Sequence, residues 1–140
     1  VGHIWNHLVE QNIVRYTGQI PRDLVLSNAS IADVICIPSL DDGMANGLLE
    51  GMAIGLCPIT TTVLRDVVDD KVHGLVVEPG DVEGLAEAFE ELYNDKSLIR
   101  KYGERSREHI RNDFKPEREA EKYIKLFTKI LEEKDEYTTL

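Results

Sequence analysis

Two carboxylates, Asp42 and Glu50, sit at either end of the most informative stretch of this 140-residue chain. That stretch reads Pro38-Ser39-Leu40-Asp41-Asp42-Gly43-Met44-Ala45-Asn46-Gly47-Leu48-Leu49-Glu50-Gly51-Met52-Ala53, a strand end, a glycine-bearing loop and a helix. In an open parallel sheet, ligands sit at the carboxyl ends of the strands, where helix N-termini aim free N–H groups at anions. A phosphate-bearing ligand fits such a site without any basic side chain. Gly43 and Gly47 let backbone approach a ligand closely, and Asn46 is placed to cap the helix. Ionised carboxylates accept hydrogen bonds from hydroxyl groups, so Asp42 in the loop and Glu50 about a turn into the helix can hold two parts of one hydroxylated ligand. Glu50 also lies among Leu48, Leu49, Met52 and Ala53, where a carboxylate is costly unless exposed, hydrogen-bonded or paired. The plainer reading of the same pair is a helix cap and a solvated or amide-bonded glutamate, and the residues alone leave both readings open.

The elements that must position this stretch follow from hydrophobic spacing. His3 to Gln11 has helical spacing, Ile13 to Tyr16 is β-prone, and Pro21 suits the start of a helix running to about Ala32. Asp33 to Pro38 is a continuous apolar run, the pattern of a strand buried on both faces and the expected centre of the sheet. A helix is predicted over Gly47 to Gly55, a strand over Pro58 to Thr61, a short helix over Leu64 to Val68, and a strand over Leu75 to Val77. Asp81 is expected to cap a helix carrying Leu85, Ala88, Phe89, Leu92 and Tyr93. Ser97 to about Asn112 and Pro116 to about Lys134 give two more helices, and Glu132 to Leu140 is polar enough to fray. Strands alternating with helices imply an α/β fold, a Rossmann-like parallel sheet flanked by helices. One domain over residues 1–140 is expected, with a helical C-terminal tail from about 115 to 140.

Composition narrows the function classes. A formal charge of −10 argues against nucleic-acid binding, which rests mainly on Lys and Arg at phosphates. No apolar run approaches the roughly 20 residues that span a bilayer, residues 1–12 do not read as a secretory signal, and the expected location is the cytoplasm. Cys36 and Cys57 lie in apolar runs without ligand spacing and read as buried free thiols. His3 and His7 are spaced as a metal pair but lack a third ligand nearby, His73 reads as a turn residue, and Lys96 to Arg111 as a solvated helix face. Trp5 and Tyr16 read as core or domain-face residues.

The pattern from Pro38 to Gly55 resembles the signature of glycosyl transferases group 1, also called glycosyltransferase family four, which are retaining enzymes with two facing Rossmann-like domains (the GT-B fold). Their second domain shows Pro-Ser, an acidic residue and Gly, Met or Phe, often Asn, and then Leu-Glu-Ala-Met-Ala-x-Gly. Pro38, Ser39, Asp42, Gly43, Met44, Asn46, Leu49, Glu50, Met52, Ala53 and Gly55 fill those places. The resemblance extends upstream through Tyr16-Thr17-Gly18 and Ala32-Asp33-Val34, and downstream through His73-Gly74-Leu75-Val76 and Pro79-Gly80-Asp81. It implies a nucleotide-diphospho-sugar as ligand. Asp42 would touch hydroxyls of the donor sugar and Glu50 the nucleotide ribose. Gly43, Met44 and Ala45 would offer N–H groups to sugar and diphosphate, and Gly18 and Gln19 would border the base pocket. The resemblance implies no metal.

Several residues depart from the family pattern. Asp42 stands where Glu is usual and is one methylene shorter. Thr62 and Val63 replace two glycines, Asp66 replaces Glu, and Gly51 replaces Ala at an expected cost of about 1 kcal/mol in helix stability. The Arg and Lys that clamp the leaving diphosphate precede Val1 in the family pattern, as does the acceptor domain. The chain is therefore expected to be an N-terminally truncated half of a GT-B fold, inactive alone and partnered by a facing acceptor domain or subunit. A non-catalytic binding or assembly module of the same fold is the rival reading, and a response-regulator-like domain a weaker one.

Overall fold

The computed structural model describes residues 8–138, and the chain divides into two compact units, Val1–Ile31 and Ala32–Leu140. In the first unit residues 8–10 end a helix, closed by Ile13 N–H donating to the Leu8 carbonyl at 2.9 Å. His3, Trp5 and His7 lie outside the described residues. Ile13 to Tyr16 form no strand, and Ile13 and Tyr16 are 66% and 81% exposed. A β-prone run becomes a strand only where a neighbouring strand pairs it, and none does so among the described residues. Gly18 takes a positive φ of 63°, which turns the chain. Helix α1 (Arg22–Ala29) follows with Pro21 as its N-cap.

The second unit carries a three-stranded parallel sheet in the order β1 (Val34–Ile37), β2 (Cys57–Thr61), β3 (Leu75–Val77). Val34 pairs with Cys57 and Ile37 with Thr60, while Ile59 pairs with Leu75 and Thr61 with Val77. The centre is β2, buried at every residue, and not β1 as the apolar run suggested. β1 pairs on one side only among the described strands and is half-buried throughout. Helix α2 (Asn46–Ile54) follows β1, a 3-10 turn over Thr62–Leu64 follows β2, and α3 (Val82–Asn94), α4 (Lys96–Asp113) and α5 (Pro116–Thr138) complete the chain. α5 runs to Thr138 rather than ending near Lys134, because a polar composition rich in Glu and Lys is compatible with helix propensity.

Side chains alternate across the sheet and meet a separate core on each face. Ile35, Ile37 and Val76 pack with Leu48, Met52, Leu64, Val67 and Val68 on the α2 side. Val34, Cys36, Cys57, Ile59, Leu75 and Val77 pack with Ala88, Leu92 and Tyr102 from α3 and α4. Coverage of both faces explains why the strands read as continuous apolar runs. Asp81 caps α3 as expected, its carboxylate accepting the Gly84 N–H at 2.9 Å. Both cysteines are free, and burial pushes the Cys57 thiol up to about 12.

Gly51 has a packing reason that its sequence context did not reveal. A Cβ there would lie 2.5 Å from Ile35 Cδ1, so its absence lets α2 press onto β1 and offsets the propensity cost. α5 presents Ile124, Leu126, Phe127 and Leu131 to solvent, each more than half exposed. No helix among the described residues is long and apolar enough to cross a membrane.

Candidate functional site

The loop between β1 and α2 leaves the carboxyl end of the sheet and is tied there by two buried threonines. Thr60 Oγ1 donates to the Ile37 carbonyl at 3.0 Å, and Thr61 Oγ1 donates to the Ser39 carbonyl at 2.7 Å. Both residues are at most 1% exposed. A hydroxyl at the end of an apolar strand must find an acceptor, and that was the available sequence signal for a role the motif reading missed. Thr61→Val keeps the shape but leaves the Ser39 carbonyl without this donor. It is expected to destabilise the domain by about 1–3 kcal/mol in urea melts.

Within the loop, Asp42 is half-buried and engaged with its own neighbours. Its Oδ1 accepts the Met44 N–H at 3.0 Å, and its Oδ2 accepts the Ser39 hydroxyl at 3.5 Å. Gly43 has neither of the usual internal reasons for a glycine. Its φ is not positive, and a Cβ there would meet nothing within 4 Å. The missing side chain leaves open space above the loop.

Helix α2 starts one residue earlier than its pattern suggested. Ala45, buried, is the N-cap, and no side chain caps the first turn. Asn46, expected as the cap, is the first helical residue, because extended backbone falls at Ala45 (φ −76°, ψ 91°). Asn46 and Gly47 are exposed, while Leu48, Gly51 and Met52 face the core. Glu50 is the fifth residue of the helix, half-buried at the border between these faces. It shares the face of Asn46 and Gly47 by i,i+4 and i,i+3 spacing. Its Cα–Cβ bond, like every one in a helix, tilts toward the N-terminus of α2. Asp42, Gly43, Met44, Ala45, Asn46 and Glu50 thus belong to one loop–helix unit. Gly18 and Gln19 are exposed and belong to the first unit.

Beside the loop, at the same end of the sheet, runs a groove of about 310 Å³ lined by Pro38, Leu40, Thr61, Val77, Glu78 and Val82. Thr62, in a family glycine position, donates its hydroxyl to Glu78 at 3.1 Å and closes the ends of β2 and β3 together. Among the described residues, no group of three or more His, Cys, Asp or Glu could hold a metal ion.

A second polar cluster joins the segment entering β3 to α4. The His73 and His109 rings stack at 4.1 Å between centroids and 12° between planes. His109 Nδ1 lies 3.0 Å from Asp113 Oδ2, and the Asp69 N–H donates to His73 Nδ1 at 3.4 Å. The residues lie too far apart in the chain for spacing to reveal the stack. Burial, then the charge of His109, holds His73 below its ordinary 6.5, against the opposing pull of Asp69 and Asp113. The unfolded chain therefore takes up this proton more readily than the folded one. Stability present above 6.5 is lost as pH falls from that value toward the depressed one. Thermal melts are expected to show a midpoint falling between pH 7.5 and 5.5, and a smaller fall in His73→Gln.

Comparison with known proteins gives this geometry its context. Residues 3–95 match the model of the family described as glycosyl transferases group 1. N-acetyl-alpha-D-glucosaminyl L-malate synthase of Bacillus anthracis is 30% identical over 112 residues, covering 79% of this chain and 29% of that protein. Sucrose-phosphate synthase from Thermosynechococcus elongatus superposes with a TM-score of 0.77 and 28% identity, over 91% of this chain and 33% of that one. The C-terminal domain of a glycosyl transferase group 1 family protein from Francisella tularensis shares the fold, with a TM-score of 0.70 and 19% identity, over 80% of this chain and 60% of that one. The chain spans less than a third of the length of the first curated relatives it matches. Its parallel sheet and flanking helices are those of a GT-B glycosyltransferase domain. The family match over most of the chain, together with the loop and helix that carry its motif, makes this protein a member of the glycosyl transferases group 1.

Proposed function

We propose that this chain is the donor-binding domain of a retaining glycosyltransferase. It holds a nucleotide-diphospho-sugar at the loop of residues 38–45 and the start of α2. The carrying observation is the uncapped first turn of α2, with Glu50 one turn along the helix and the open face of Gly43 before it. Free N–H groups at a helix start suit the diphosphate, and a carboxylate one turn along suits the ribose hydroxyls. Gly43, Met44, Ala45 and Asn46 line the donor, and Asp42 shapes the loop from which these groups project.

Transfer in this reading is a front-face displacement, in which the diphosphate leaves and the acceptor hydroxyl attacks from the same side. Positioning and charge stabilisation carry such a reaction, and no metal is required. The acceptor site belongs to a facing domain, for which the exposed apolar side of α5 offers a surface. The chain alone is therefore expected to bind donor without transferring it. Calorimetric titration with UDP-, GDP- and ADP-sugars tests this reading: one of them gives weak saturable heat, whereas a non-catalytic assembly module gives none with any.

A further inference from the structure

Resting on that reading of the site, we infer that Asp42 is a positioning residue, whose carboxylate holds the loop in shape through the Met44 amide instead of gripping the donor sugar. A chain of hydrogen bonds runs from the buried end of β2 to the loop crest. Thr61 fixes the Ser39 carbonyl at 2.7 Å, the Ser39 hydroxyl meets Asp42 Oδ2 at 3.5 Å, and Asp42 Oδ1 accepts the Met44 N–H at 3.0 Å. Both carboxylate oxygens thus point into the loop's own backbone and side chains. An aspartate reaches the amide two residues on because its side chain is short, which is the geometry of an Asx turn. Glutamate carries its carboxylate one methylene further and cannot close the same ring.

Two roles implied by the family pattern therefore compete in this chain. While Asp42 holds the Met44 amide, that N–H is not available to the diphosphate, and the carboxylate is drawn back from the sugar. The donor groups left for the anion are those of Gly43, Ala45 and the uncapped first turn of α2. Replacing the usual Glu by Asp at this place converts a ligand-facing carboxylate into an internal brace. Hydroxyl recognition then passes to Glu50 and to backbone.

Asp42→Asn, Asp42→Glu and Asp42→Ala separate a brace from a ligand. The readouts are amide hydrogen exchange at Met44 without ligand, and affinity for UDP-, GDP- and ADP-glucose beside the free diphosphates. Asparagine also closes Asx turns. Asp42→Asn is therefore expected to keep Met44 protected and to bind within about threefold of the unaltered chain. Asp42→Glu and Asp42→Ala are expected to lose about tenfold or more in Met44 protection and to weaken nucleotide sugar and free diphosphate alike. A direct sugar ligand gives the reverse order. Asp42→Glu would then bind as well as the unaltered chain or better, and Asp42→Asn would lose about tenfold, for the nucleotide sugar only. That order overturns the inference, as does equal Met44 exchange in the unaltered chain and Asp42→Ala. If no nucleotide sugar binds the unaltered chain, the donor reading fails, and the exchange data still decide whether Asp42 braces the loop.

Discussion

Gly103→Ala is expected to destabilise the domain by about 2 kcal/mol, although alanine is the better helix former. Gly103 lies within α4, and a Cβ there would overlap the carbonyl oxygen of Gly55, a backbone atom that no rotamer change can move. Gly55 is itself fixed, as the left-handed C-cap of α2 with φ 92°, its N–H donating to the Met52 carbonyl at 2.9 Å. Ser106 adds a buried hydroxyl bond to the Leu56 carbonyl at 3.2 Å, so α4 is locked against this turn. Relief requires α4 to shift away from the α2–β2 junction, which costs about 3 kcal/mol, the upper end for overpacking, because the clashing atom is backbone and cannot repack. The gain in propensity is at most about 1 kcal/mol, so the clash wins. The midpoint of thermal unfolding should fall by about 5–10 °C. An unchanged or raised midpoint would contradict the backbone contact described above.

Glu50→Ala is expected to leave the fold intact and to weaken nucleotide-sugar binding by about 10- to 100-fold. Alanine preserves helix propensity, and Glu50 is only half-buried at the edge of the core, so the midpoint of unfolding serves as the control. A hydrogen bond to a charged acceptor contributes about 1.5–3 kcal/mol, which converts to that range of affinity. Glu50→Gln keeps one acceptor oxygen and should fall between. Comparable binding by all three forms, at equal stability, would remove Glu50 from the site. The same variants separate ribose contact from phosphate contact, because free inorganic diphosphate should be insensitive to them.

The elements most legible in the sequence were those whose residues answer to local rules. The apolar runs at Val34–Ile37 and Leu75–Val77 and the Asp81 cap all appear where spacing placed them. What local pattern could not supply was pairing. Which strand is central depends on ladder partners, so Val34–Ile37 read as the middle of the sheet while Cys57–Thr61 holds that place. For the same reason Ile13–Tyr16 read as a strand and is none. The glycine at 51 looked like a helix defect until Ile35 supplied its neighbour.

The candidate site shows the same division. Its motif was readable because residue types and order carry it, and the family match covers it. The threonines at 60 and 61 that tie down the loop, and the bond from Asp42 to the Met44 amide, arise from approaches that spacing does not encode.

The most direct test of the account is an amide-resolved NMR titration of the chain with UDP-, GDP- and ADP-sugars. The account predicts saturable shifts for one nucleotide class, concentrated on the amides of Gly43, Ala45, Asn46 and Gly47, with a midpoint about 10- to 100-fold higher in Glu50→Ala. Saturable shifts centred elsewhere in the domain, or no shifts with any nucleotide sugar, would contradict it.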